Sequence, residues 1–525
     1  MGISLPSIIS SGMVIERHAR IWGYSDDSLT DVVQISFCGK DYSACVKNGK
    51  WEVFVTAESM GGPYEMRIGD IVLTDVYVGH VFFLGGQSNM ETPVGRVRPW
   101  YEEDFSNLKS NPRIRAFQVE KDFDFVSPRT DCVGSWRYVS SDTVDNFYAV
   151  SFYLSKILEN TLDAPVGIVE CAVGGSRIES WMAWEDAGFR GYTAALLRLC
   201  QNKGLTNIIE RMDNERITAW HSDVRENDTG LSAKYYRDGF DDTSWKSRPL
   251  TKNWIEDIGL VKGSVWFRKT FSVTDEMEGL PGRLFLGTII DSDTVYLNGQ
   301  IVGYTEYRYP PRFYEVPQGL IRKGANTLTA RIVCERDIGG FTVGKEYYLE
   351  LGGTMSAGSR IALDGEWLYK IGYETSELLP SAFFHNYPCG LHNAMLAPVL
   401  PFSISAFLWY QGESNAEEPL GYDTLLEKFI GYLRANYFAD LPILVVQLPN
   451  YDAGELNSNW QLIREQQATV LSLANTALII TNDIGEDNDL HPINKKTLSE
   501  RLAEGVLHLL RGDALNNKNV LSSKT

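Results

Sequence analysis

Three things are scarce in this chain of 525 residues, and each scarcity excludes a class of function. Basic residues are outnumbered: 49 Lys and Arg against 68 Asp and Glu leave a formal charge of −19. That field repels polyanions, so neither nucleic acid nor an anionic membrane surface is an expected partner. Long apolar runs are missing, although 44% of the residues are hydrophobic. No segment reaches the roughly 20 residues of a bilayer-crossing helix, so membrane insertion is not expected. Cysteine is sparse: Cys38, Cys45, Cys132, Cys171, Cys200, Cys334 and Cys389 are scattered, odd in number and form no Cys-x-x-Cys pair. They supply neither a zinc set nor a disulfide framework, and no metal or cofactor is expected. The N-terminus, Met1-Gly2-Ile3-Ser4-Leu5-Pro6, also lacks the basic segment and long apolar segment of an intact secretion signal.

What is present is a change of texture along the chain. The length suggests two to four domains. Residues 1–78 alternate in short runs such as Val32-Val33-Gln34-Ile35-Ser36-Phe37 between Gly, Asp and Asn turns, which predicts a small β-sandwich. From 79 to 224, apolar strands at 81–84 and 166–172 alternate with helical spacing over 146–162 and from 180 onward. Residues 225–372 return to β, with an Asn298-Gly299 turn signal. Asp291 and Asp293 in this block read as turn residues rather than calcium ligands. From 373 to 525 strands at 404–410, 443–448 and 477–481 alternate with helices at 422–437 and 495–510. The economical reading is a multidomain α/β protein: one α/β domain, interrupted by a β domain and preceded by another.

Within the α/β part, Phe82-Phe83-Leu84-Gly85-Gly86-Gln87-Ser88-Asn89-Met90 ends an apolar strand on two glycines and lifts a serine into reach. Serine needs a base and oxyanion donors to act as a nucleophile. Three further post-strand segments offer them: Gly174-Gly175-Ser176-Arg177-Ile178, Trp409-Tyr410-Gln411-Gly412-Glu413-Ser414-Asn415, and Asp487-Asn488-Asp489-Leu490-His491-Pro492. Ligands in open α/β sheets bind where strands end, so four such segments predict one acyl-transfer site.

These segments, in this order, resemble the blocks of the SGNH hydrolase superfamily, and more narrowly the sialate O-acetylesterase-like carbohydrate acetylesterases. The resemblance implies an SGNH (flavodoxin-like) three-layer α/β/α core. It implies Ser88 as nucleophile and His491 as general base, with the N–H groups of Ser88 and Gly175 in the oxyanion hole. Gln411 is the matching amide donor, with Asn415 as alternative. The superfamily pattern places an Asp three residues before the histidine, where this chain has Asn488. Asp489 is the favoured acid, Asp487 the alternative, and a Ser–His dyad a third option. Arg177 and Glu413 are candidate substrate contacts, with an Arg177–Glu413 bridge the preferred reading of the pair. His385 and His392 read as packing or loop residues. The inserted β block resembles the galactose-binding-like jelly roll of many glycosidases. The implied activity is removal of O-acetyl groups from carbohydrates, with acetylated sialic acids ahead of acetylated xylan or another glycan. A carbohydrate-binding protein with an inactive core is the rival from outside the enzymes. A glycan substrate implies export, periplasmic or extracellular in a bacterium, ahead of a cytoplasmic location.

Overall fold

Strands buried on both faces read as unbroken apolar runs, and two such runs stand at the centre of this chain. His80–Gly86 and Val166–Ala172 pair in parallel, and nearly every residue of both is buried. The computed structural model describes residues 2–25, 31–250, 254–352, 360–437, 441–511 and 520–521. In it the central pair belongs to an eight-stranded sheet. Its order is Gly134–Val139, Asn111–Val119, Val166–Ala172, His80–Gly86, Ala406–Tyr410, Ile443–Val446, Thr476–Ile479, Val520–Leu521. Only the Gly134–Val139 edge is antiparallel. His80–Gly86 comes first of the parallel strands in the chain yet sits in the middle. Strand order therefore reverses at it, and its carboxyl end opens the crevice that such reversals create.

Helices Ala149–Leu162 and Lys495–Leu510 pack together, as do Tyr422–Tyr437 and Asn457–Gln467. The leading residues form a three-stranded sheet and a five-stranded sheet, and Val32–Phe37 alternates buried and exposed along its length. These strands share one apolar core with the α/β sheet rather than keeping their own. Polar ties reinforce the join. Glu16 Oε1 accepts the Val81 N–H at 2.7 Å and the Ser405 hydroxyl at 2.6 Å. Buried Arg115 donates to Gly12 O at 3.0 Å and pairs with Asp75 at 2.8 Å.

The chain divides into two compact units, 1–205 with 383–525, and 206–382. The first boundary falls inside helix Lys203–Asn227. The second unit carries a six-stranded and a four-stranded antiparallel sheet. Val265, Phe267, Val295, Leu328 and Ile332 of the larger share a core with Leu284, Leu286, Leu349 and Leu351 of the smaller. Asn298 and Gly299 take φ of +50° and +84° and close the Leu297–Gln300 hairpin, as their dipeptide predicts. Asp291 and Asp293 depart from the turn reading. Both are buried, Asp293 paired with Arg312 at 2.6 Å and Asp291 with Arg308 at 2.5 Å. A buried carboxylate needs such a partner.

Candidate active site

Gly86 turns the end of the central strand with φ of +139°. A Cβ there would lie 2.0 Å from Tyr410 O, so backbone freedom and backbone proximity both demand glycine. Gln87 then leads into the short helix Ser88–Glu91. Ser88 is half-buried at its start, and Thr92 Oγ1 donates to Ser88 O at 3.0 Å. His491 Nε2 lies 2.8 Å from Ser88 Oγ, across 403 positions of sequence. This is hydrogen-bond distance between a hydroxyl and an imidazole, the geometry that lets the ring take the proton.

The electrostatics keep that ring neutral. His491 is 2% exposed. Burial, then the charges of Arg96 and Lys495, hold its pKa well below 6.5. An unprotonated imidazole is the form a general base requires.

A buried polar bridge lies behind the pair. Asn89 Nδ2 donates to Glu413 Oε1 at 2.6 Å and to Leu490 O at 3.0 Å, while Lys495 Nζ donates to Asn89 Oδ1 at 2.6 Å. The residue after Ser88 therefore grips the residue before His491. Burial pushes Glu413 up from 4.5 to about 7. Burial and the neighbouring Arg96 bring Lys495 down from 10.5 to about 7.

The second segment approaches the serine through glycines. A methyl on Gly174 would stand 3.3 Å from Ser88 Cβ, and Gly175 adopts φ of +76°. Glu91 Oε1 accepts the Gly174 N–H at 2.9 Å, and Lys121 holds the other carboxylate oxygen at 2.8 Å. Among the described residues, the N–H groups of Ser88 and Gly175 have no acceptor within the chain. An oxyanion hole requires uncommitted donors of this kind.

The amides of the third segment are turned inward, which corrects the expectation for both. Gln411 is 0% exposed; its Nε2 donates to Asn415 Oδ1 at 2.7 Å, Ser176 O at 3.1 Å and Gln87 Oε1 at 3.2 Å. Asn415 is 1% exposed; its Oδ1 also accepts the Ile178 N–H at 3.1 Å, and its Nδ2 donates to Glu179 at 3.0 Å. The Gln411 amide is thus spent on Gln87, Ser176 and Asn415, and Asn415 ties the third segment to Ile178 and Glu179. The Arg177–Glu413 bridge is also absent. Arg177 pairs with Glu418 at 2.9 Å, lies 3.8 Å from Glu417, and donates to Ser414 O at 3.2 Å. Glu413 is buried against Asn89, beneath the site rather than lining it.

Of the two candidate acids, Asp489 lies closer to the base in its bonding. Its Oδ1 accepts the His491 backbone N–H at 2.9 Å. Asp487 is bonded to the Asn450 side chain instead. Sequence reasoning passed over Asn89, Glu91, Arg96 and Lys495. Adjacency to Ser88 and to the histidine segment was the available signal for the first and last.

Residues 78–212 and 385–508 match the family described as carbohydrate esterase, sialic acid-specific acetylesterase. The sialate O-acetylesterase of Mus musculus is 28% identical over 207 residues, covering 34% of this chain and 38% of the mouse protein. That of Homo sapiens is 25% identical over 205 residues, covering 34% and 39%. The matched stretch thus spans under half the length of these relatives. A crystal structure of a carbohydrate acetylesterase from Xanthomonas citri shares the fold, with a TM-score of 0.56 over 97% of this chain and 76% of that one, at 21% identity.

Proposed function

Because the chain belongs, through residues 78–212 and 385–508, with the sialate O-acetylesterase-like carbohydrate esterases, we propose that it removes O-acetyl groups from carbohydrates through an acetyl-serine intermediate. The observation that carries this reading is the 2.8 Å contact between Ser88 Oγ and His491 Nε2. Acetylated sialic acids are the foremost substrates, by the names of the mouse and human relatives. The same reading takes the core as an SGNH three-layer fold, the leading strands as a β-sandwich and the inserted unit as a galactose-binding-like jelly roll. Support comes from the parallel sheet with Ser88 at a carboxyl edge and from the paired antiparallel sheets. Among the described residues no helix is long and apolar enough to cross a membrane. A glycan substrate favours export, to a periplasm or the extracellular space.

In this mechanism His491 takes the Ser88 proton as Oγ attacks the acetyl carbonyl. The oxyanion rests against the N–H groups of Ser88 and Gly175. The imidazolium returns the proton to the departing sugar oxygen, the C–O bond breaks, and acetyl-serine remains. Water, deprotonated by His491, attacks the acyl carbon and frees acetate and the serine hydroxyl. Asp489, which accepts the His491 backbone N–H, is taken as the acid, two residues before the base instead of three. Replacing it by Asn is expected to lower kcat by at least about a hundredfold, with Asp487→Asn nearly silent. Steady-state kinetics on both variants checks the choice.

The reading as a whole is tested with Ser88→Ala. Release of 4-nitrophenol from 4-nitrophenyl acetate should vanish while the circular dichroism spectrum stays unchanged, and a fluorophosphonate should label only the wild type. A panel of acetylated sialic acids and acetylated xylan, read as acetate release, ranks the substrates. Wild-type protein inert to the label and to every acetylated sugar would leave the carbohydrate-binding rival standing.

A further inference from the structure

An acetyl group is small, and the sugar that carries it needs a surface of its own. Directly against the glycine loop stands Phe383, with 43% of its surface exposed. A Cβ on Gly175 would lie 3.0 Å from Phe383 Cε1, so only glycine lets the ring approach this loop. Hydrogen bonds fix the segment that carries the ring. The Arg177 N–H donates to Asn386 Oδ1 at 2.9 Å, the Asn386 N–H donates to Phe383 O at 2.9 Å, and the Cys389 N–H donates to Glu179 O at 3.0 Å. Behind it, His385 lies 5.4 Å away between ring centres and meets Phe123 edge-on at 5.3 Å. Phe123 in turn packs against Phe384 at 5.4 Å. Burial first, then Lys121, lowers the His385 pKa, which favours the uncharged ring. A ring serving only to fill a core would be covered. This one is backed on one side and left open beside the candidate oxyanion donors.

We propose that Phe383, backed by His385 and Phe123, is the platform on which the pyranose ring of the substrate stacks while its acetyl carbonyl lies at Ser88. The C–H face of a pyranose is apolar and slightly positive, and an aromatic face is apolar and slightly negative, so the two associate. The proposal rests on the esterase reading and adds the sugar's binding site to it. Its ligand class is an O-acetylated pyranose with one unobstructed C–H face.

Two substrates separate the platform from the chemistry: an O-acetylated monosaccharide and ethyl acetate, which has no ring. Phe383→Ala is expected to lower kcat/KM for the sugar ester about tenfold more than for ethyl acetate, chiefly through KM. Phe383→Trp should restore the preference for the sugar. An equal loss on both substrates in Phe383→Ala would assign the ring to packing of the Gly175 loop and overturn the platform. So would an unchanged preference in both variants. A wild-type protein that cleaves neither ester and takes no fluorophosphonate label overturns the esterase reading, and the platform with it.

Discussion

At the scale of single residues, Asn89 carries the most consequence after the serine beside it. Its amide is held at both ends, by the Lys495 amino group at its oxygen and the Glu413 carboxyl group at one hydrogen. The remaining N–H holds Leu490 O, one residue before the base. Asn89→Ala should lower kcat by about a hundredfold with KM little changed, since small displacements of a base are costly. Asn89→Asp sets a second carboxylate against Glu413 and should be worse; stopped-flow acylation rates compare the two. The pH profile offers a separate check. Because burial and two cations disfavour the imidazolium, the acid limb of kcat/KM should lie below pH 6.5. Lys495→Met removes one of those cations, raises the His491 pKa and moves the limb to higher pH. An unmoved limb would mean that Lys495 does not act on the base. The meeting of Ser88 with His491 was legible in the sequence because the strand-ending Gly-Gly turn and the acidic loop before the histidine both stand out from their neighbours. Gln411 was misread because an amide after a strand announces its reach but not its direction. Here three internal acceptors consume it.

At the scale of elements, periodicity was informative wherever one face is buried. Tyr422–Tyr437 and Lys495–Leu510 occupy the predicted spans, the first burying Leu426, Phe429, Ile430 and Leu433. Helix Lys203–Asn227 falls in the stretch read as helical from 180 onward, although only Thr206, Asp213, Trp220 and Val224 of its 25 residues are buried. The edge strand Gly134–Val139 left no such signal: five of its six residues are partly or fully exposed. The region from 180 onward is not one helix. A single 3-10 turn, Ile178–Trp181, gives way to extended backbone before Trp184–Ala187. The join most sensitive to substitution is the end of His80–Gly86. Gly86→Ala drives a methyl to 2.0 Å from Tyr410 O and forces a strained φ. It should cost about 3 kcal/mol or more, read as a fall in the midpoint of chemical unfolding.

At the scale of the whole molecule, buried carboxyls set a pH signature. Burial raises Glu16 from 4.5 to about 7. A folded state that keeps a proton the unfolded chain releases loses stability as pH rises through that interval. Glu16→Gln cannot ionise, so its stability relative to wild type should climb between pH 4.5 and 7 and level off below. Thermal melts at several pH values measure the difference. The order of the pieces has a consequence for how the protein is made. Synthesis runs toward higher residue numbers, so the strand that leads to Ser88 leaves the ribosome long before His491 exists. All of 206–382 must emerge, and a long stretch beyond it, before position 491 reaches its seat. On the proposed chemistry, a translation product halted anywhere earlier has a serine with no imidazole beside it.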